Sequence, residues 1–377
     1  MINSCNLLLE GLEYNNNIEK GKWIPIVKFS FNSQTNSLLK GFITNNSNKV
    51  ICGSIKGDIF VHDMISGKRL LNINNIDRNI SSEILIPAGL NDISCDYTGN
   101  YIFGSFSGGT VCIFDTRIMN IKNKQNSHIS LLHAHKCACM SIALPNSNNI
   151  QQFVTGGYDG IIRIWDLRRI GYISQVKGHN SPISTIEFSP DNDILCSSAY
   201  DGSCRLWKSS NLYALRSFLN PVNSEEISQA TFSLDSNLLL HINNNNAKSW
   251  RLDSIDEYIE YIEPHDNFKE DNKYIESYDK DIYISNQSNN IYFRYSSFWR
   301  DKVFIPISKN LFYNNDGRNI VNIYDSTTGI YLDSLENIYF GKTAVTCVSS
   351  HPNIDCGIIL TTGSYPDNSV ILWMYSY

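Results

Sequence analysis

The sequence predicts an all-β chain in which seven short sheets are set radially about an axis, a seven-bladed β-propeller, and three observations carry that prediction. The first is a repeat. Seven times a short apolar strand ends in an aromatic-plus-polar pair or its remnant: His62-Asp63, Phe114-Asp115, Trp165-Asp166, Trp207-Lys208, Trp250-Arg251, Tyr324-Asp325 and Trp373-Met374. The second is its spacing. Successive pairs stand 52, 51, 42, 43, 74 and 49 residues apart; one blade takes roughly 40 to 45 residues, so most gaps hold a blade with loop insertions. The third is composition: 42% hydrophobic and 12% aromatic residues supply a continuous core and good strand formers. Radial repetition lets residues 1–377 form a single domain despite the length.

The blades follow in order. The second turns through Ser107-Gly108-Gly109 before its strand ends at Phe114-Asp115. The third runs from His135 through a strand and Phe153 to Gly160, then Ile161 to Asp166. The fourth starts at Gly178-His179 and continues through Ile183 to Pro190, Leu195 to Gly202 and Ser203 to Trp207. Asp159-Gly160, Asp201-Gly202 and, in the sixth blade, Asp316-Gly317 have the chemistry of tight turns between antiparallel strands. The fifth blade replaces that turn with Asn243 to Asn246. The 74-residue gap holds one blade plus an acidic insertion, residues 254–281, expected between blades five and six as a solvated segment. The sixth blade has two candidate inner strands, Ile291 to Phe298 and Val303 to Ile307. The seventh has three strands, because the chain ends four residues after Trp373.

A formal charge of −6 argues against a protein held to nucleic acid by general positive charge, so no direct nucleic-acid partner is expected. No run of about 18 apolar residues and no basic segment followed by an apolar one occurs, so neither a membrane nor a leader is expected, and the chain is placed in the nucleus and/or cytoplasm. None of the ten cysteines forms a C-x-x-C pair, and most sit singly in strand patterns as small buried hydrophobes. Cys137 and Cys139, with His133 and His135 nearby, have no second ligand pair at structural-site spacing, so no metal or cofactor is assigned. Enzyme motifs are missing too: no G-x-S-x-G, phosphate loop, H-E-x-x-H or G-x-G-x-x-G after a strand. The chain is expected not to be an enzyme.

The third and fourth blades resemble the WD-repeat consensus. In that family the loop histidine, a strand hydroxyl, the turn aspartate and the strand tryptophan are hydrogen-bonded inside each blade. The resemblance places these roles on His135, Thr155, Asp159 and Trp165, then on His179, Ser197 or Ser198, Asp201 and Trp207. It also implies that an N-terminal strand completes the last blade, and within residues 1–22 the apolar segment 6–12 is the candidate.

Over the fourth and fifth blades and the C-terminus the chain resembles the WD-repeat subunit of trithorax-type (COMPASS) histone H3 lysine-4 methyltransferase complexes. His179 to Ser184, Ser197 to Trp207, and His351-Pro352 with Asp367 to Trp373 carry that likeness. It implies a non-catalytic scaffold in a nuclear, chromatin-linked assembly, with other subunits or peptides as partners, histone tail or methyltransferase among them. In that family an arginine enters the channel between aromatic rings and polar groups. Ser184, Tyr200 and Ser228 match the family's channel lining; Met140 stands in place of one aromatic clamp, Ser107 in place of the acidic acceptor and Asn91 in place of a serine. The second clamp falls near Ser297 and Phe298. An alternative comes from Trp165-Asp166-Leu167-Arg168 and Phe114-Asp115-Thr116-Arg117. These resemble the W-D-x-R ends by which WD proteins dock to the adaptor of cullin-type ubiquitin ligases, a short signature shared with splicing and other assemblies.

Overall fold

The computed structural model describes residues 21–30, 37–44, 49–73, 89–117, 130–147, 150–219, 227–243, 247–253, 258–261, 295–308, 319–335, 345–363 and 368–376. They form seven four-stranded antiparallel sheets arranged as a ring. Six blades are consecutive in the chain, with inner strands Leu38–Ile43, Leu90–Cys95, Cys139–Ala143, Ile183–Phe188, Ile227–Phe232 and Ser297–Trp299. The seventh takes its inner three strands, Val345–Ser350, Ile358–Gly363 and Ser369–Tyr375, from the C-terminal end and its outer strand, Trp23–Ser30, from the N-terminal end.

That outer strand corrects an expectation. The ring is closed by Trp23–Ser30, paired from Trp23↔Tyr375 to Ser30↔Ser369, and segment 6–12 lies outside the described residues. Both segments are apolar, Trp23–Ser30 carrying five apolar residues in a row before Lys28, so apolar character alone did not separate them; the outer place is set by pairing with Ser369–Tyr375. Pro25, which has no N–H to donate, is tolerated on an outer edge, and the register skips a residue just after it.

Two further boundaries change. In blade six Tyr324 pairs with Val303, which makes Lys302–Ser308 the second strand; of the two candidates only Ser297–Trp299 is innermost. Tyr258–Tyr261 is the outer strand of blade five, so that blade extends into the segment assigned to the acidic insertion. Residues 262–281 and the turn Asp316-Gly317 lie outside the described residues.

The core is seven apolar wedges, one at each seam between blades. Blades three and four, for example, meet through Ile162, Ile164, Ile183, Ile186, Leu195 and Trp207, and blades seven and one through Leu360, Leu372, Leu38 and Phe60. Alternation along each strand makes this inevitable, because both faces of a blade are covered by neighbours and both must be apolar. Of the ten cysteines, Cys52, Cys112, Cys139, Cys196, Cys204 and Cys347 are buried in this packing.

Candidate functional site

Inner strands start on one face of the disc, here called upper, and end on the lower face. Antiparallel succession then puts the turn between second and third strands on the upper face, and the turn between third and outer strands on the lower one.

Inside blade three, Trp165 Nε1 donates to Thr155 Oγ1 at 2.9 Å, Thr155 Oγ1 is 2.9 Å from His135 Nε2, and His135 Nδ1 is 3.2 Å from Asp159. Blade four repeats the set: Trp207 Nε1 donates to Ser197 Oγ at 2.8 Å, His179 Nε2 lies 2.7 Å from that oxygen, and Nδ1 lies 3.3 Å from Asp201. Ser197 takes this role because it stands two residues from Leu195, the partner of Trp207. Ser198 faces the other way and bonds Ser184 and Thr185. These histidine–aspartate pairs are therefore occupied inside blades. The turn they brace requires glycine: Gly160 has φ +70° and a Cβ there would come within 2.4 Å of the His179 carbonyl oxygen. Blade five keeps a shortened version, in which His241 occupies the hydroxyl's position and accepts from Trp250 Nε1 at 2.7 Å. Blade seven keeps Trp373 Nε1 donating to Thr361 Oγ1 at 2.9 Å. Burial holds His179 and His241 each down to about 4.

The upper mouth is built by a bulge that recurs at the start of the inner strands. The ladder skips a residue between Leu38 and Lys40, Leu90 and Asp92, Cys139 and Ser141, Ile183 and Thr185, Ile227 and Gln229, and Val345 and Cys347. Four of the skipped residues are Asn91, Met140, Ser184 and Ser228, all singled out by the resemblance. Ser107 and Tyr200 sit in upper-face turns beside them. Ser107 Oγ donates to Asn91 Oδ1 at 3.2 Å, and Asn91 Nδ2 donates to the Cys139 carbonyl at 2.9 Å. Ser184 bonds Ser198 at 2.8 Å, and Ser228 donates to the Ile242 carbonyl at 2.9 Å. The six residues thus share one face and one end of the channel across blades two to five.

The residue after each bulge, and Ser297 in blade six, latches the next blade. Asp92 accepts from Ser141 Oγ at 2.7 Å and Ile142 N–H at 3.1 Å. Ser141 Oγ accepts from Ile186 N–H and Thr185 Oγ1 from Ala230 N–H, each at 3.0 Å. Gln229 exchanges two bonds with the Ser296 backbone, Ser297 Oγ accepts from Ser350 N–H, and Cys347 Sγ donates to the Gly41 carbonyl. Lys40 completes the circle, its Nζ 2.7 Å from Asp92. Every seam is stitched at the channel wall.

Lys40 and Tyr295 were not legible as site residues. The Lys40 ammonium sits 4.8 Å from the centre of the Tyr295 ring as well as on Asp92. Burial alone would depress it, and Asp92 overrides this and raises it. Tyr295, 6% exposed, stands two residues before Ser297 and brings its ring to this ammonium. A carboxylate and a ring therefore do hold a cation in this channel, and the cation is the chain's own. Counting two residues beyond the start of blade one's inner strand, as for Asp92, Ser141, Thr185 and Gln229, is the signal that finds Lys40.

Lys40, Asp92 and Tyr295 also line a cavity of about 800 Å³ that reaches the lower-face loops at Pro145, Pro190, Leu234 and Pro352. On that same face lie the two arginine turns. Arg168 Nε and Nη2 pair with Asp166 at 3.0 and 2.8 Å, and Arg117 does the same with Asp115 at 2.9 and 2.6 Å. Arg168 holds the Asp166 carboxyl down at about 2, while its own side chain stays 63% exposed. The upper-mouth residues and the arginine turns are thus on opposite faces. Cys137 is exposed and Cys139 is buried in the core between blades two and three.

Comparison with known proteins matches residues 126–166 and 171–208 to the family "WD domain, G-beta repeat". Residues of the chain are 38% identical over 77 residues to eukaryotic translation initiation factor 3 subunit I of Anopheles gambiae, covering 20% of this chain and 24% of that protein. They are 30% identical over 109 residues to the guanine nucleotide-binding protein subunit beta of Solanum tuberosum, 28% of this chain and 29% of that protein. SEC12-like protein 1 of Arabidopsis thaliana is 29% identical over 184 residues, 45% of each. The chain spans less than half the length of each of these relatives.

Proposed function

We propose, from a seven-bladed propeller that carries WD40 repeats, that this chain is a non-catalytic scaffold binding other proteins or peptide segments. The observation that carries the reading is the ring latched at all seven seams: a rigid disc presents loops at fixed positions and loses little entropy when a partner docks. The histidine–aspartate pairs are committed to bracing turns, which favours binding over catalysis. Relatives named as subunits of larger factors support the same reading.

The finer proposal is a subunit of a nuclear histone methyltransferase assembly whose upper mouth, formed by Asn91, Ser107, Met140, Ser184, Tyr200 and Ser228, receives a partner peptide. Because Lys40 already holds the carboxylate and the ring at the floor, the peptide engages the mouth without placing a guanidinium at that depth. The test is affinity purification of the tagged chain from nuclear and cytosolic extracts with mass spectrometry of stoichiometric partners. Recovery of a SET-domain methyltransferase, lost from Tyr200→Ala or Ser107→Arg at an unchanged melting temperature, is the expected result. Full retention by both variants removes the mouth from the proposal.

A second reading rests on the exposed guanidiniums of Arg168 and Arg117, 63% and 53% exposed on the lower face, as docking points for a cullin-ligase adaptor. Arg168→Leu abolishes adaptor recovery in that case and leaves methyltransferase recovery unaffected.

A further inference from the structure

The lower cavity takes in Lys40 and Tyr295 and reaches the lower-face loops. Its charge is uneven. Among the described lining residues the carboxylates are Asp92, Asp96 and Glu187, and the one cation is Lys40. Asp92 is committed to Lys40, Ser141 and Ile142. Asp96 is committed to its own turn, accepting from Thr98 Oγ1 and from Tyr101 N–H at 2.7 Å. Glu187 stands in its inner strand on the cavity wall, with the Thr231 side chain and the Phe232 N–H drawing on its carboxylate.

We propose that the lower end of the channel is a binding site for one cationic group on a flexible aliphatic stem, the side chain of a lysine or arginine or the equivalent free amine, with Glu187 as its carboxylate. Four observations converge on it. The volume, about 800 Å³, suits a small ligand. Its lining takes in the lower-face loops and none of the upper-mouth positions Asn91, Met140, Ser184, Tyr200 and Ser228, so a ligand is placed to enter from the lower face. The rim residues Pro145, Pro190, Leu234 and Pro352 are uncharged and offer apolar surface to a stem while the charged tip goes deeper. The lining also includes Ser296 of blade six, whose Oγ is buried without a hydrogen-bond partner among the described residues and has the chemistry to accept from an ammonium or guanidinium N–H.

The state of Glu187 agrees with this. Burial pushes its carboxyl up to about 7, against the smaller downward pull of Thr231 and Lys40, even though the residue stays partly exposed on the cavity wall; the neighbouring groups do not offset its desolvation. A bound cation supplies a counter-charge, and binding then favours the ionised form. The other titratable groups on the wall do not compete near neutrality. Tyr295 is raised well above its ordinary value, Cys347 is raised to about 11 and Cys95 is raised further, all chiefly by burial. Lys40 stays protonated, and Asp92 keeps it neutralised.

The probes are agmatine, which carries a guanidinium on a four-carbon stem, n-butylamine, neutral n-butanol and the blocked tripeptide acetyl-Gly-Arg-Gly-amide. Each is titrated into the purified full chain and read from its own magnetic resonance signals. Agmatine or butylamine binds, butanol does not, and Glu187→Gln weakens the amines at least tenfold. Affinity in the unaltered chain rises severalfold from pH 6 to pH 8 as Glu187 ionises, a readout that stands even where the variant fails to fold. Binding of the tripeptide as well identifies partner side chains as the source of the cation; binding of the amines alone identifies free cations. No amine binding, or binding indifferent both to pH and to Glu187→Gln, overturns the proposal. None of these measurements involves the upper-mouth partner, so failure of the scaffold reading leaves them independent.

Discussion

At the scale of single residues, the buried histidines show how the repeat was read and what its chemistry implies. His179 is neutral in the fold because burial lowers it to about 4, against an ordinary value near 6.5. The unfolded chain therefore binds more protons across that interval, and the stability His179 contributes is full above about pH 6.5 and is lost as pH falls toward 4. Between pH 7.5 and 5 this amounts to about 2 kcal/mol for one such group, taking ~1.4 kcal/mol per unit below 6.5. Urea unfolding at the two pH values should show His179→Gln less stable than the parent at pH 7.5 but with a smaller loss on acidification. An equal loss in both removes His179 from the pH response. His241, lowered to the same value, accounts for part of the remaining slope.

At the scale of elements, the closing strand carries the clearest consequence. Trp23 packs edge-on against Trp299 at 5.1 Å and Phe304 at 5.3 Å, and against Tyr375 at 5.3 Å, so one strand joins blade seven to blade six. A chain starting at Phe31 lacks this strand and leaves Ser369–Tyr375 as an open edge. Compared with a chain starting at Gly21, it should melt at least 10 °C lower and aggregate on heating, followed by circular dichroism and light scattering, because an unpaired strand invites pairing with another molecule. Similar melting of the two chains means that the ring does not depend on this strand.

At the scale of the whole molecule, stability rests on seams in series. Asp92 links three blades through Lys40, Ser141 and the Ile142 N–H, whereas Thr185 links two. Asp92→Ala leaves a half-buried ammonium and two buried donors unmatched and should cost about 3 kcal/mol or more. Thr185→Val orphans one buried N–H, for about 1–3 kcal/mol. Denaturant midpoints give the ranking directly, and a Thr185→Val loss equal to or above that of Asp92→Ala contradicts the latch.

The sequence by itself determined the number of blades and the internal chemistry of the best of them. Trp165, Thr155, His135 and Asp159 are a few strands apart in one contiguous segment, and a local hydrogen-bonded set recurs with its repeat whatever the neighbours do. Asn91, Met140, Ser184 and Ser228 came from the resemblance alone, and the structure places each of them at the bulge of its inner strand. What crosses between blades was not legible. The pairing of Trp23–Ser30 with Ser369–Tyr375, the seating of Lys40 from blade one on Asp92 of blade two and Tyr295 of blade six, and the cavity that Glu187 lines all depend on ring closure. Closure brings together residues up to the full length of the chain apart, and no spacing along a single strand records which of them will share the axis.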